Sequence, residues 1–225
     1  MRRRISALVV VLLLAACGGS GEEGAAGTAT LWVTRDRGAE LLLEARVPVG
    51  QTLMRALASE LEVETRFGGR FLQSAAGLEG SLDGQRDWFW FVNGYEGDRS
   101  ATEYRLRDGD IAWWDFRAWQ REGEARVVVG AFPEPFLHGF GGKTRSAVVR
   151  YERLAKNRAL EIGLTIGAES VEPLGTPVRS GSNVLEIREG SPSMRAELLG
   201  ETAGDPVRFV LRGSPGKPTR RYELP

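Results

Sequence analysis

The segment Trp88-Phe89-Trp90-Phe91-Val92, followed at once by Asn93-Gly94, constrains the fold of this chain more than any other. Side chains alternate across a strand with period two, so five consecutive strand-favouring apolar residues load both faces. Such a strand must be covered from both sides. Asn-Gly is the strongest short signal for a two-residue hairpin turn. We therefore expect a central strand ending in a tight turn.

The neighbouring elements follow from the same rules. Thr30 to Thr34 and Glu40 to Val47 are apolar or alternating around Asp36-Arg37-Gly38, which predicts a hairpin. Gly50-Gln51-Thr52 then opens a helix with Leu53, Ala56, Leu57 and Leu61 at helical spacing and Thr52 as N-cap. Phe71 to Ala75 and Leu78 to Leu82 are short strand candidates, and Ile111 to Phe116 is a closing strand after the Asp108-Gly109-Asp110 turn.

The order Gly50 to Leu57, Gly68-Gly69-Arg70-Phe71-Leu72-Gln73-Ser74, Trp88 to Gly94, then Tyr104 and Asp108 to Ile111 resembles the transcobalamin-like C-terminal domain family over residues 29–120. The resemblance implies an α+β fold of β-grasp type, one helix against a small mixed sheet. In the animal carriers of that family the domain closes one side of a cobalamin site and a large helical barrel supplies the other. This chain has no room for that barrel. What the resemblance carries over is a surface around Phe71, Trp88, Trp90, Asn93 and Gly94, suited to a flat, partly apolar ligand or a partner surface. Core packing is the competing reading for Trp88 and Trp90, and turn formation for Asn93.

After Glu122-Gly123-Glu124 the pattern changes. Strands are expected over Arg126 to Phe132 and Arg145 to Tyr151, a helix over Glu152 to Ile166, and short strands over Ser170 to Leu174, Asn183 to Arg188, Met194 to Leu199 and Pro206 to Leu211. Residues 125–225 thus read as a second small α+β domain. The loop from Phe132 to Thr144 combines two prolines with three glycines and displays Glu134, His138 and Lys143. It is either a binding or docking loop between domains, or a crossover whose Phe132, Phe136 and Phe140 fill the seam. Leu137 stands where a phosphate-binding Walker loop needs glycine.

The N-terminus supplies the address. Arg2, Arg3 and Arg4 precede an apolar run from Ala7 to Leu14, and Leu14-Ala15-Ala16-Cys17 resembles the lipobox of bacterial lipoproteins. Residues 1–16 are expected to be a signal peptide, Cys17 the lipidated first residue, and the stretch to residue 28 a flexible tether. The chain would then be anchored in the cell envelope, facing outside the cytoplasm. Removing three arginines from 30 basic residues leaves 27 against 30 acidic ones, a balance without the basic excess of a nucleic-acid binder. Cys17 is the sole cysteine and His138 the sole histidine, so the usual zinc sets and thiol chemistry have no donors. No cofactor and no enzyme activity are expected. Two functions remain: a non-catalytic lipoprotein that binds a small molecule, cobalamin-like in the first instance, or serves a membrane transporter; and a cell-surface module that binds another protein.

Overall fold

A computed structural model describes residues 27–119, 125–213 and 220–223. Cys17, the signal segment and most of the tether lie outside the described residues.

The fold is α+β and consists mostly of strands. Strands β1 (Thr28–Arg35) and β2 (Glu40–Pro48) form the expected hairpin. Its turn places Asp36, Arg37 and Gly38 at φ of 54°, 61° and 73°. Two non-glycine residues in the left-handed region need compensation. The buried Asp115 carboxylate supplies it, accepting from the backbone N–H groups of Arg37 and Gly38 at 3.1 and 3.0 Å.

Helix α1 (Leu53–Glu60) is capped by the Thr52 hydroxyl, which accepts from Arg55 N at 3.3 Å, and it buries Leu53, Met54, Ala56 and Leu57. A separate small sheet follows, built of β3 (Val63–Arg66), β4 (Phe71–Ala75) and the two-residue β5 (Leu78–Glu79). The strand expected to reach Leu82 stops at Glu79, because Gly80 and Ser81 turn the chain into β6.

Strand β6 (Arg86–Val92) carries the aromatic run, turns through Asn93 (φ 52°) and Gly94 (φ 83°), and pairs back through β7 (Tyr95–Glu96). Strand β8 (Ile111–Ala118) completes a five-stranded sheet of order β2-β1-β8-β6-β7, in which β1 and β8 are parallel and the other pairs antiparallel. Both faces are covered. Leu31, Val33, Val92 and Trp114 join the helix side of the core, while Phe91 and Trp113 form a second buried cluster with Val128, Ala131 and Tyr222.

The second half forms its own five-stranded sheet from β9 (Ala147–Tyr151), β10 (Ser170–Pro173), β11 (Asn183–Arg188), β12 (Ser193–Leu198) and β13 (Val207–Arg212), in order β10-β9-β11-β13-β12. Only β12 runs antiparallel to its neighbour. Helix α2 (Lys156–Thr165) connects β9 to β10, and Gly163 lets it approach Val171 closely. The helix is shorter than expected, since Arg153 to Ala155 form a 3-10 turn.

One expectation fails between the sheets. Arg126 to Phe132 is no strand: it makes one bridge, Val127 to Tyr95, and a 3-10 turn at Val129–Ala131. Its apolar residues are buried on every side because the segment threads between the two sheets rather than joining either. Phe132, Phe136 and Phe140 do fill that seam. Phe132 and Phe136 pack on Phe209 at 6.4 and 5.2 Å, and Phe140 packs on Tyr95 and Tyr104 at 5.7 and 5.0 Å. The hydrophobic core therefore runs without interruption through both halves.

Candidate functional site

A cleft of about 560 Å³ opens between β4, β6 and the 96–101 loop on one side and the β12–β13 connection on the other. Phe71, Trp88 and Trp90 all line it. They contribute unequally. Phe71 is 51% exposed and Trp90 is half-buried, whereas Trp88 is buried, donates its indole N–H to Leu78 O at 3.3 Å and packs on Phe116. Phe71 and Trp90 are thus the open aromatic surface, and Trp88 is their backing. Gly97 lies against Trp90 so closely that any Cβ would overlap the indole ring, which gives the cleft a wall of bare backbone and aromatic face.

Four guanidinium groups surround these rings. Arg66 is bonded to Asp87 and to Gln73 Oε1, Arg70 meets Glu103 at 2.6 Å, Arg99 meets Asp98 at 2.7 Å, and Arg126 donates to Glu201 O at 2.7 Å. Each is oriented by a partner, and a guanidinium carries five N–H groups, more than Arg70 or Arg99 uses in its ion pair. Trp114, which pairs with Trp90 across the strands, also lines the cleft and has an indole N–H with no acceptor among the described residues. Such a lining binds planar groups by stacking and acceptor groups by charge-assisted hydrogen bonds. The arginines and Trp114 were not singled out by the sequence, because nothing local distinguishes a cleft arginine from a surface one.

The remaining expected contacts, Asn93, Gly94, Glu134, His138 and Lys143, lie elsewhere. Asn93 is fully buried and points into the seam, not toward a ligand: its amide donates to Asp110 Oδ1 at 2.8 Å and Gly139 O at 2.7 Å, and its carbonyl accepts from Ile111 N at 2.8 Å. Gly94 packs on the backbone of Val128. Glu134 is buried as well, accepting from His138 N at 2.9 Å and meeting His138 Nδ1 at 2.5 Å. The His138 ring in turn lies against Gly109. Lys143 is exposed beside this loop. Burial raises the carboxyl groups of both Asp110 and Glu134 above the usual carboxylate range, and their hydrogen bonds offset part of that rise. These residues form a polar joint between the halves. Tyr104, whose hydroxyl donates to Asp110 Oδ2 at 3.1 Å, belongs to it too.

A second buried polar centre covers the opposite face of the first sheet. Tyr222 donates its hydroxyl to Asp115 Oδ2 at 2.8 Å and packs edge-on against Phe91 and Trp113 at 5.5 and 5.3 Å. Arg220 sits over the Trp32 ring at 4.4 Å and pairs with Glu44. A Cβ on Gly38 or Gly130 would overlap the Arg220 carbonyl, so both glycines leave room for this returning segment. Among the described residues, no group of three or more His, Cys, Asp or Glu is arranged to hold a metal ion, and no helix is long and apolar enough to cross a membrane.

Residues 50–118 match a family described as a domain of unknown function, DUF4430. That stretch contains α1, the small sheet, β6 to β8 and most of the cleft's first-half wall. No curated protein matches the chain in sequence. Among solved structures, a protein of Ruminococcus gnavus ATCC 29149 proposed to bind metal is similar over 42% of this chain and 99% of its own, with 18% identity and a TM-score of 0.36. Haptocorrin in complex with Cbi is similar over 42% of this chain and 25% of its own, with 15% identity and a TM-score of 0.36. The matched part spans a quarter of haptocorrin's length.

Proposed function

We propose that this chain captures a small, flat, partly apolar molecule in the cleft of Phe71 and Trp90, without transforming it, while a lipid on Cys17 holds it at the outer side of a membrane. The β-grasp type implied by the family resemblance is part of this reading, and the first sheet's parallel β1–β8 pair with a helix in the crossing supports it. The observation that carries the reading is the cleft itself. Its volume is that of a small-molecule site, its open rings offer stacking surface, and the guanidinium groups that line it offer donors to a ligand's acceptors. Corrinoids head the compounds to try because of the sequence resemblance, and a transporter subunit is the natural recipient of a captured molecule.

Thermal unfolding of the intact chain against a broad panel of metabolites, cobalamins and their precursors included, tests this. A ligand at 100 times its Kd stabilises by about 2.7 kcal/mol, which shifts the melting temperature measurably. The paired substitution Phe71→Ala and Trp90→Ala is expected to abolish that gain; Trp90 packs on Gly97 and Tyr104, so the unliganded variant melts lower, and a retained cooperative transition checks that it folds. No shift across the panel overturns the reading. A protein partner is the second reading, favoured by Phe67, which is 73% exposed and stands edge-on to Phe71 at 5.7 Å. A captured partner lost in the same double variant, with no small-molecule gain, selects it.

A further inference from the structure

We infer that the open face of the second sheet is a binding site for a multivalent oxyanion of the phosphate class. This face lies in the second half and takes no part in the aromatic cleft.

The register of the strands places its charges. Arg188 on β11 and Arg212 on β13 are direct partners, with Ser193 of β12 on the other side of Arg212. One row along, Val210 stands between Glu186 and Arg195, and the next row pairs Arg208 with Glu197. Together these residues line a groove of about 630 Å³. Their strands are held from behind by Leu185, Ile187, Phe209 and Leu211, all buried, so the guanidinium groups rise from a rigid base.

The carboxylates do not balance this face. Glu186 meets Arg188 at 2.7 Å and Glu197 pairs with Arg208. Arg195 and Arg212 have no carboxylate partner among the described residues, and the nearest acceptor for Arg212 is Glu189 O at 3.4 Å. Like charges directly opposite each other on neighbouring strands, about 4.8 Å apart, destabilise a sheet. An oxyanion seated among Arg188, Arg195 and Arg212 removes that repulsion. Guanidinium donors match its oxygens two at a time, the Ser193 hydroxyl adds one further donor, and Val210 forms an apolar floor. A single carboxylate presents too few oxygens to engage three guanidinium groups, which favours phosphate-class ligands.

Tripolyphosphate, titrated calorimetrically into the intact chain, is the probe, with vesicles of phosphatidic acid, whose phosphomonoester headgroup has three free oxygens, and of phosphatidylcholine as a second arm. The paired substitution Arg195→Gln and Arg212→Gln is expected to weaken binding at least about tenfold, and Arg55→Gln with Arg105→Gln, on the first half, by less than about twofold. All four side chains are exposed, and melting temperatures check that both variants fold. Binding of tripolyphosphate with this pattern supports the inference with a soluble ligand. Binding of phosphatidic acid vesicles alone, lost in the same variant, supports it with a lipid headgroup as source. Absence of binding in both arms at low salt, or equal loss in both variant pairs, overturns it. The Phe71 and Trp90 variant is expected to bind as the native chain does, so this result stands or falls apart from the cleft.

Discussion

Asn93 occupies a left-handed turn position and yet has every polar atom of its side chain engaged inside the protein. Its neighbour Asp110 is the more telling residue for chemistry. Asp110 accepts from Asn93, Tyr104 and Arg107 N, and Glu134 and His138 act on it from the loop across the seam. A carboxyl whose burial raises its pKa holds its proton more tightly folded than unfolded, so its contribution to stability is complete below the unfolded value, about 4, and is lost as pH rises through the folded value. The stability advantage of the native chain over an Asp110→Asn variant should therefore be largest at the acid end of that window and shrink toward neutral pH. Denaturant titrations at a series of pH values measure it. An advantage that grows with pH contradicts the assignment.

At the scale of elements, the segment from Arg220 to Glu223 behaves as part of the first sheet's packing although it comes from the far end of the described chain. It pairs no strand. Its hold is Tyr222, which fills the space between Phe91 and Trp113 and satisfies Asp115. Asp115 also carries the hairpin turn of β1 and β2, so the tail and the turn share one carboxylate. Truncating a buried aromatic side chain costs about 3 to 5 kcal/mol, and we expect Tyr222→Ala to destabilise by about that much. Tyr222→Phe, which keeps the ring and removes only the hydrogen bond to Asp115, should cost about 1 kcal/mol. Equal stability of both variants and the native chain would show that the tail does not hold this face. Surface ion pairs such as Arg35 with Glu40 are worth far less, since exposed pairs contribute about 0 to 1 kcal/mol.

At the scale of the whole molecule, two sheets share one core. Phe209 of the second sheet touches Phe132 and Phe136 of the connecting loop, Tyr95 donates to Asp205 O at 2.9 Å, and the tail returns to cover the first sheet. The halves should therefore unfold together. Calorimetry of the intact chain is expected to show a single transition whose calorimetric and van't Hoff enthalpies agree. Two resolved transitions would mean that the seam does not couple them. The proposed ligand cleft lies along this seam, so a bound molecule would contact both halves and stabilise the same transition.

The sequence alone determined the local pieces: the aromatic strand and its Asn-Gly turn, the Thr52-capped helix, the β1–β2 hairpin and the five strands of the second sheet, which fall within a residue or two of their expected limits at each end. Alternation, capping and turn chemistry act over a few residues, so a linear reading can see them. The same reading also set Phe71 and Trp90 apart, though it could not tell their open rings from the buried Trp88. Tertiary structure alone decided the rest. Asn93 meets Gly139 across 46 residues, and Tyr222 meets Asp115 across 107. Arg126 to Phe132 is apolar enough to be a strand and is instead a buried link, because after the single bridge from Val127 to the β7 edge the chain turns at Val129–Ala131. With 30 acidic and 30 basic residues, the number of conceivable long-range pairings is far larger than the number that packing permits. Only the folded chain selects among them, since burial makes each unsatisfied polar group costly.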